Sequence, residues 1–509
     1  MKIIKNGNLK DRVSDFYIQT FSMLFFPDDN IFGKNNSSEN YIEVFVNGIN
    51  REHDNKTKLT TDNNINIDIL VKICYNKLTE QSSRLYSIAT DNYNGEENFK
   101  KDLIVEIGKA FYTAASTLTQ TKPPWGIHTG IRPAKTAEKA FNDAEGDKSG
   151  AIKILTEKYL MDEKKAITAL DVYINAKNVI AGNDAPSVYN KKKETSLYIS
   201  IPFCPTKCRY CSFVSYSTPK LLKLIPEYMR ILLKEIENIG VIISEKEYIL
   251  KTIYIGGGTP TTLDCDMLNM LLEKIERSFD MNNVIEYTIE AGRPDTIDKA
   301  KLELFNRYKV NRISINPQTL NDEILINIGR CHSSDDFFAA YKTARDIGIK
   351  NINTDCIVGL FGENKLSMIE TVQKLIEIEP ENITVHTLCI KKSASIKTDN
   401  ANDDVIYKPY SPEVNYALEE IYELLRQNGY LPYYMYKQKY AVGNLENTGF
   451  SKKNRECMYN IYMMDELQTI YGAGAGATTK ILYPDGRIER IINPKYPYEY
   501  IEKYIGLRN

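Results

Sequence analysis

Residues 198–213 read YISIPFCPTKCRYCSF, and the three cysteines in that stretch, Cys204-x-x-x-Cys208-x-x-Cys211, decide how the rest of the chain is read. The chain has nine cysteines; Cys74, Cys265, Cys331, Cys356, Cys389 and Cys457 are scattered singly, as buried small hydrophobes commonly are. A trio within eight residues calls for a metal site. The apolar run Leu197–Ile201 leads straight into it, so the trio occupies a loop at the end of a strand. Three thiolates grip three corners of a cubane. Iron–sulfur clusters normally take four cysteines, and no fourth cysteine or histidine stands nearby, so one iron is left open to a small ligand. Zinc is the competing reading, but structural zinc takes four protein ligands, usually as two close pairs, and this triplet has no second pair.

Downstream, short β-type runs alternate with helix-period segments. The runs are Leu197–Ile201, Thr252–Ile255, Glu286–Ile289, Arg312–Ile315, Asn351–Val358 and Asn382–Leu388, with helices expected in the gaps. Repeated βα units imply parallel strands joined by right-handed crossovers. Each run ends in something chemical: the cysteine trio, then Gly256-Gly257-Gly258-Thr259-Pro260, Glu290, Gln318, Asp355, and His386 with Thr387. One polar group per strand end makes a poor core and a good site, because (β/α) barrels assemble active sites at the carboxyl ends of their strands. The expected architecture is α/β, a partial (β/α)6 TIM-like barrel over 196–395. An N-terminal α+β domain (1–182), a linker (183–195) and a C-terminal α+β extension (396–509) flank it.

The N-terminal expectation rests on Ile65, Ile67, Ile69, Val71 and Ile73, which alternate as in a half-buried strand, and on Ile42, Val44 and Val46, which do the same. Phe99, Leu103, Ile107, Phe111 and Leu118 fall at helical spacing. Residues 121–135, TKPPWGIHTGIRPAK, read as a fixed loop whose Trp125 anchors a small core. The stretch 181–195 is aperiodic, with Gly, Pro, Asn and three lysines, and reads as the linker. Lys plus Arg total 65 against 67 for Asp plus Glu. No basic excess points to nucleic acid, and no stretch approaches the roughly 18 apolar residues of a membrane span. A cytoplasmic protein without a secretory signal is expected.

With these pieces in place, the chain resembles the radical S-adenosylmethionine (AdoMet) superfamily, through the triplet, Tyr210 before its last cysteine, and the GGGTP run after the second strand. More widely it resembles the oxygen-independent coproporphyrinogen III dehydrogenase (oxidase) family, in a long variant where PPWGIHTGIRP, YIGGGTPTTL, EAGRPDTI and CMYNIYMMDE have counterparts. The resemblance implies that Cys204, Cys208 and Cys211 ligate a [4Fe–4S] cluster whose fourth iron takes the amino and carboxylate groups of AdoMet. It implies that Gly257, Gly258 and Thr259 lie against the methionine part and that Glu290, Gln318, Arg330 and Asp355 hold AdoMet. Arg330 would suit a carboxylate and Asp355 the ribose hydroxyls. Tyr198 matches a tyrosine near the cluster, and Tyr210 is the aromatic neighbour of the last ligand. Implied partners are a tetrapyrrole, coproporphyrinogen III or haem, and an electron donor such as a flavodoxin or ferredoxin. Arg455, Lys452, Lys453 and the tyrosines from Tyr433 to Tyr440 are candidates for its carboxylates and flat face, with a solvated turn and an ordinary aromatic core as the plain alternative.

Two departures bear on the substrate. Ser212-Phe213 follows Cys211 where dehydrogenases of the family carry Gly and Cys, and Ser200 stands where they carry histidine. The Ser-Phe pattern is closer to relatives acting as haem chaperones, for which His386, His128, or a Tyr or Cys side chain would be candidate haem ligands. Another radical enzyme acting on a tetrapyrrole is the third reading. The long N-terminal part ranks the dehydrogenase first.

Overall fold

Period-two alternation becomes strand, as the residues require. In the computed structural model, which describes residues 1–26, 40–49, 64–89, 96–183, 193–211, 215–389 and 411–506, the N-terminal sheet comprises β1 (Lys2–Asn6), β2 (Tyr41–Ile49), β3 (Asn64–Tyr75) and β4 (Leu78–Ala89) in that spatial order. β1 runs parallel to β2, and the other neighbours are antiparallel. Ile42, Val44 and Val46 of β2 and Ile67, Ile69, Val71 and Ile73 of β3 are fully buried in one cluster with Phe99, Leu103, Ile107 and Phe111 of the helix Glu96–Thr119. Each such side chain contributes about 1.5–3 kcal/mol. Trp125 is fully buried, as an anchor should be; the Lys437 ammonium lies 5.2 Å from its ring centroid and donates to the His128 carbonyl.

The second sheet is built on β5 (Glu194–Ile201), β6 (Ile249–Gly257), β7 (Glu286–Glu290), β8 (Arg312–Ser314), β9 (Asn351–Val358) and β10 (Asn382–Thr387). They lie side by side in sequence order, and every neighbouring pair is parallel. The connections carry the helices Ile225–Glu245, Cys265–Ser278, Lys299–Arg307, Ser334–Ile347 and Lys365–Glu377. Asp264, Asp298, Ser333 and Asn364 cap the last four of these by accepting from first-turn amides.

The strands of the C-terminal α+β extension continue this sheet on both sides. β11 (Leu431–Lys437) and β12 (Glu446–Ser451) continue beyond β10, with β12 antiparallel to it. β13 (Thr469–Ala473) runs parallel to β5 and is followed by the antiparallel strands β14 (Thr478–Leu482) and β15 (Ile488–Ile492). The physical reason is edge pairing: β5 and β10 would otherwise leave rows of backbone donors and acceptors open. Among the described residues the sheet is not closed, since β11 and β15 stand at its two ends.

The chain forms two compact units. Met1–Leu170 with Ile406–Pro412 and Lys437–Leu445 makes one; Asp171–Val405 with Glu413–Tyr436 and Glu446–Asn509 makes the other. The expected linker is shorter at both ends: the helix Glu163–Asn183 takes in residues 181–183, since its lone Gly182 costs only about 1 kcal/mol, and β5 already takes in Glu194 and Thr195. The rest of the expected linker to residue 192, the 395/396 boundary and Ser212-Phe213 lie outside the described residues. Among the described residues no helix is long and apolar enough to cross a membrane.

Candidate active site at the carboxyl ends of the strands

Alternation along the parallel strands sorts their side chains. Leu197, Ile199, Ile201, Ile253, Ile255, Ile289 and Ile313 are fully buried, while the residues between them form polar layers. Lowest are Ser196 and Thr252, whose hydroxyls lie 2.6 Å apart, and Glu286, paired with Arg312 at 3.3 Å. Glu286 also accepts from the Met458 and Tyr459 amides at the start of the helix Met458–Asp465 and from the Cys457 thiol, so the CMYNIYMMDE segment is tied to the foot of the strands. Above it, Tyr198 and Tyr254 pair across β5 and β6 and stack with Tyr459; the Tyr254–Tyr459 centroids are 4.6 Å apart. Higher still, the Tyr254 hydroxyl donates to Glu290 at 2.7 Å.

The cysteine loop hangs on the glycine run. Gly258 N donates to Ile201 O and Thr259 N to Phe203 O, each at 2.8 Å, while the Thr259 hydroxyl lies 3.3 Å from Cys204 Sγ. A Cβ on Gly258 would stand 2.7 Å from the Phe203 carbonyl oxygen, and one on Gly256 would stand 2.9 Å from the Glu290 carboxyl carbon. Gly257 has φ of +113°, which side-chain-bearing residues rarely adopt. Only glycines let this turn pass between the cysteine loop and Glu290. Burial pushes the Cys204 thiol up to about 11, so a bound metal ion is what would ionise it near neutrality.

Charge at the rim follows from a few contacts. Burial raises the Glu290 carboxyl to about 7 even though Tyr254 and the Gly257 amide favour its charge; nearby Asp355 pushes it up further. Burial also opposes the charge on Asp355, yet His386 and Asn353 outweigh it and hold that carboxyl below its ordinary range. His386 Nε2 stands 3.6 Å from Asp355, and its Nδ1 lies 3.3 Å from Asn447 Oδ1. Burial works against its protonation too, but Asp355 carries it above the usual histidine value. Gln318 has φ of +69° and rejoins β9, donating to Asp355 O and accepting from Ile357 N. Its side-chain Oε1 is buried and finds no hydrogen-bond partner among the described residues. Arg330 donates to Gly292 O and to the Tyr210 hydroxyl, with its buried Nε likewise unpartnered among the described residues. Buried polar groups left open in this way are where a ligand's own polar atoms fit.

The structure therefore gathers Tyr198, Cys204, Cys208, Tyr210, Cys211, Gly257, Gly258, Thr259, Glu290, Gln318, Arg330 and Asp355 on or near the carboxyl ends of β5–β9. It does not bring the expected cations there. Arg455 bonds Asn351, the first residue of β9, and Lys452 N bonds Glu381 O just before β10, so both lie at the opposite end of the strands. The cause is the antiparallel run of β12 beside β10, which carries residues after Ser451 to the foot. Of the tyrosines, Tyr434 reaches Thr384 and Tyr436 lies close enough to Asp355 and Glu290 to feel their charge, whereas Tyr433 bonds Asn460 in the lower segment. His386 belongs to the site; His128 is buried in the other compact unit. Sequence reasoning gave no role to Tyr254, one strand over from Tyr198, nor to Arg293 and Asp295, which form a bidentate pair. The Arg-x-Asp spacing inside EAGRPDTI was the available signal.

A model of the radical SAM superfamily matches residues 198–375. The oxygen-independent coproporphyrinogen-III oxidase-like protein HemZ of Bacillus subtilis is 36% identical over 431 residues, which are 84% of this chain and 83% of that protein. The chain belongs to the radical SAM family of oxygen-independent coproporphyrinogen-III oxidase-like proteins. The heme chaperone HemW of Bacillus subtilis is 30% identical over 282 residues, 55% of this chain and 70% of that protein. The solved structure of coproporphyrinogen III oxidase (HemN) from Escherichia coli shares the fold, with a TM-score of 0.50 at 22% identity over 63% of this chain and 71% of that one. Membership brings the cofactor pair of the radical SAM superfamily, a [4Fe–4S] cluster and S-adenosylmethionine. The residue types suit them, three loop-borne thiols, a glycine turn and two open buried polar atoms, although among the described residues no three Cys, His, Asp or Glu side chains stand together as metal ligands.

Proposed function

We propose that this protein is a radical AdoMet enzyme that oxidatively decarboxylates propionate side chains of coproporphyrinogen III to vinyl groups, giving protoporphyrinogen IX. The observation that carries the reading is the extent of likeness: the oxidase-like relative matches 84% of the chain, the chaperone 55%. When bound, the cluster and AdoMet supply one-electron cleavage of the sulfonium and a radical that removes a propionate hydrogen. Cys204, Cys208 and Cys211 would hold the cluster, with AdoMet bound beside them. Gly257, Gly258 and Thr259 would line its methionine part, and Glu290, Gln318, Arg330 and Asp355 would hold its polar groups. Gln318 Oε1 is free to accept, and Asp355, kept ionised by His386, accepts from hydroxyls. Arg330 fixes Tyr210 beside the last ligand. The stacked Tyr198, Tyr254 and Tyr459 would form a flat wall that keeps water from the bound substrate. Electrons come from a small carrier such as a flavodoxin or ferredoxin.

The test supplies the anaerobically reconstituted, reduced protein with AdoMet and coproporphyrinogen III, and separately with haem. Vinyl product together with 5′-deoxyadenosine is the expected result. Tight haem binding with no vinyl product would transfer the protein to the chaperone reading that its likeness to HemW raises.

A further inference from the structure

Arg293 is an arginine no part of the foregoing chemistry uses, yet it is only 3% exposed and placed against a cysteine of the trio. Its Nη1 lies 3.9 Å from Cys208 Sγ, within hydrogen-bond reach of a sulfur acceptor, and also donates to Thr206 O at 3.1 Å. Asp295 grips the same guanidinium through both oxygens, at 3.1 and 2.9 Å, so the fork cannot swing away. The Arg330 guanidinium also lies close enough to Cys208 to feel its charge. Two buried guanidiniums and one carboxylate leave a net positive charge around a single sulfur.

We infer that Arg293 sets the reduction potential of this protein's cluster by donating to the Cys208 sulfur while pinning the loop through Thr206. The inference rests on the reading that Cys204, Cys208 and Cys211 hold the cluster. A cubane with three thiolate ligands is anionic, and reduction adds a further negative charge. A buried cationic donor on a ligand sulfur therefore stabilises the reduced form more than the oxidised one and raises the potential, since hydrogen bonds to the sulfurs and local charge are what tune such clusters. Asp295 has the opposite effect, partly neutralising the guanidinium it holds. Arg293 is thus a positioning and tuning residue rather than one that meets substrate.

The experiment is an EPR-monitored redox titration of the anaerobically reconstituted full chain, with iron content measured alongside, for wild type, Arg293→Gln, Arg293→Lys and Asp295→Asn. Poised at the wild-type midpoint, Arg293→Gln should show an about tenfold lower reduced-to-oxidised ratio, equivalent to about 59 mV for a one-electron couple. Arg293→Lys should fall between the two, and Asp295→Asn should shift the midpoint upward. Opposite signs for the Arg293 and Asp295 variants are something a purely structural role does not produce. Identical midpoints, or shifts of one sign for both, would overturn the inference while leaving the cluster intact. A wild-type protein that takes up no four-iron cluster would overturn the cluster reading and this inference with it. Should Arg293→Gln not fold, the Arg293→Lys and Asp295→Asn midpoints still decide.

Discussion

Glu290 gives the sharpest stability prediction. Its carboxyl sits under Gly256 and is raised by burial to about 7 from an ordinary 4.5, so the folded protein binds a proton more tightly than the unfolded chain does. Between those two values the folded state carries the extra proton, and stability falls as pH rises; above 7 the full cost of the buried charge is present. At pH 8 that cost is at most about 3 kcal/mol at 1.36 kcal/mol per pH unit, and solvent screening at a half-buried residue brings it to about 1–3 kcal/mol. Glu290→Gln keeps the shape and removes the charge. In the cofactor-free protein it should therefore be more stable than wild type at pH 8 by that amount and close to wild type at pH 4.5. Denaturant melts at the two pH values, with the Tyr254 environment unchanged, are the assay. Equal pH dependence in wild type and variant would refute the reasoning, because the carboxylate would then cost nothing to ionise in place.

Three further perturbations probe other parts of the structure. Gly258→Ala forces a methyl to 2.7 Å from the Phe203 carbonyl oxygen, backbone that cannot yield cheaply, so it should destabilise by about 1–3 kcal/mol and lower the iron retained on reconstitution. Glu286→Ala strips a buried partner from Arg312 and acceptors from the Met458 and Tyr459 amides; a loss of about 3–5 kcal/mol in a urea melt is expected. His386→Gln leaves Asp355 without its cation. Because the histidine pKa is raised, its stabilisation is complete below about 6.5 and is lost as pH rises through the raised value. The variant should therefore fall furthest below wild type near pH 6 and converge with it at alkaline pH, as melts across that range would show.

What the sequence disclosed, and what it withheld, divides along physical lines. The strand ends from Leu197 to His386 were legible because short apolar β-type runs and the glycine turn are local signals, and parallel order follows from the βα rhythm. The cysteine spacing is equally local. The fate of Lys452 and Arg455 was not legible, because only the antiparallel docking of β12 on β10 determines which end of the strands they reach. The same holds for β13: nothing in Thr469–Ala473 announces that it will extend the sheet beside β5, since that choice is made by an unpaired edge nearly three hundred residues earlier. Arg293 stood in a quoted motif, but its contact with Cys208 spans 85 residues and appears only in three dimensions.

The central claim is that three sulfurs leave one iron for the nucleotide. The most direct measurement is the EPR spectrum of the reduced, reconstituted protein recorded before and after adding S-adenosylmethionine. A four-iron signal whose g-values move on addition, and which is lost in Cys208→Ala, is the predicted result. A spectrum indifferent to the nucleotide, or a single divalent ion held among those thiols with no iron, would contradict it.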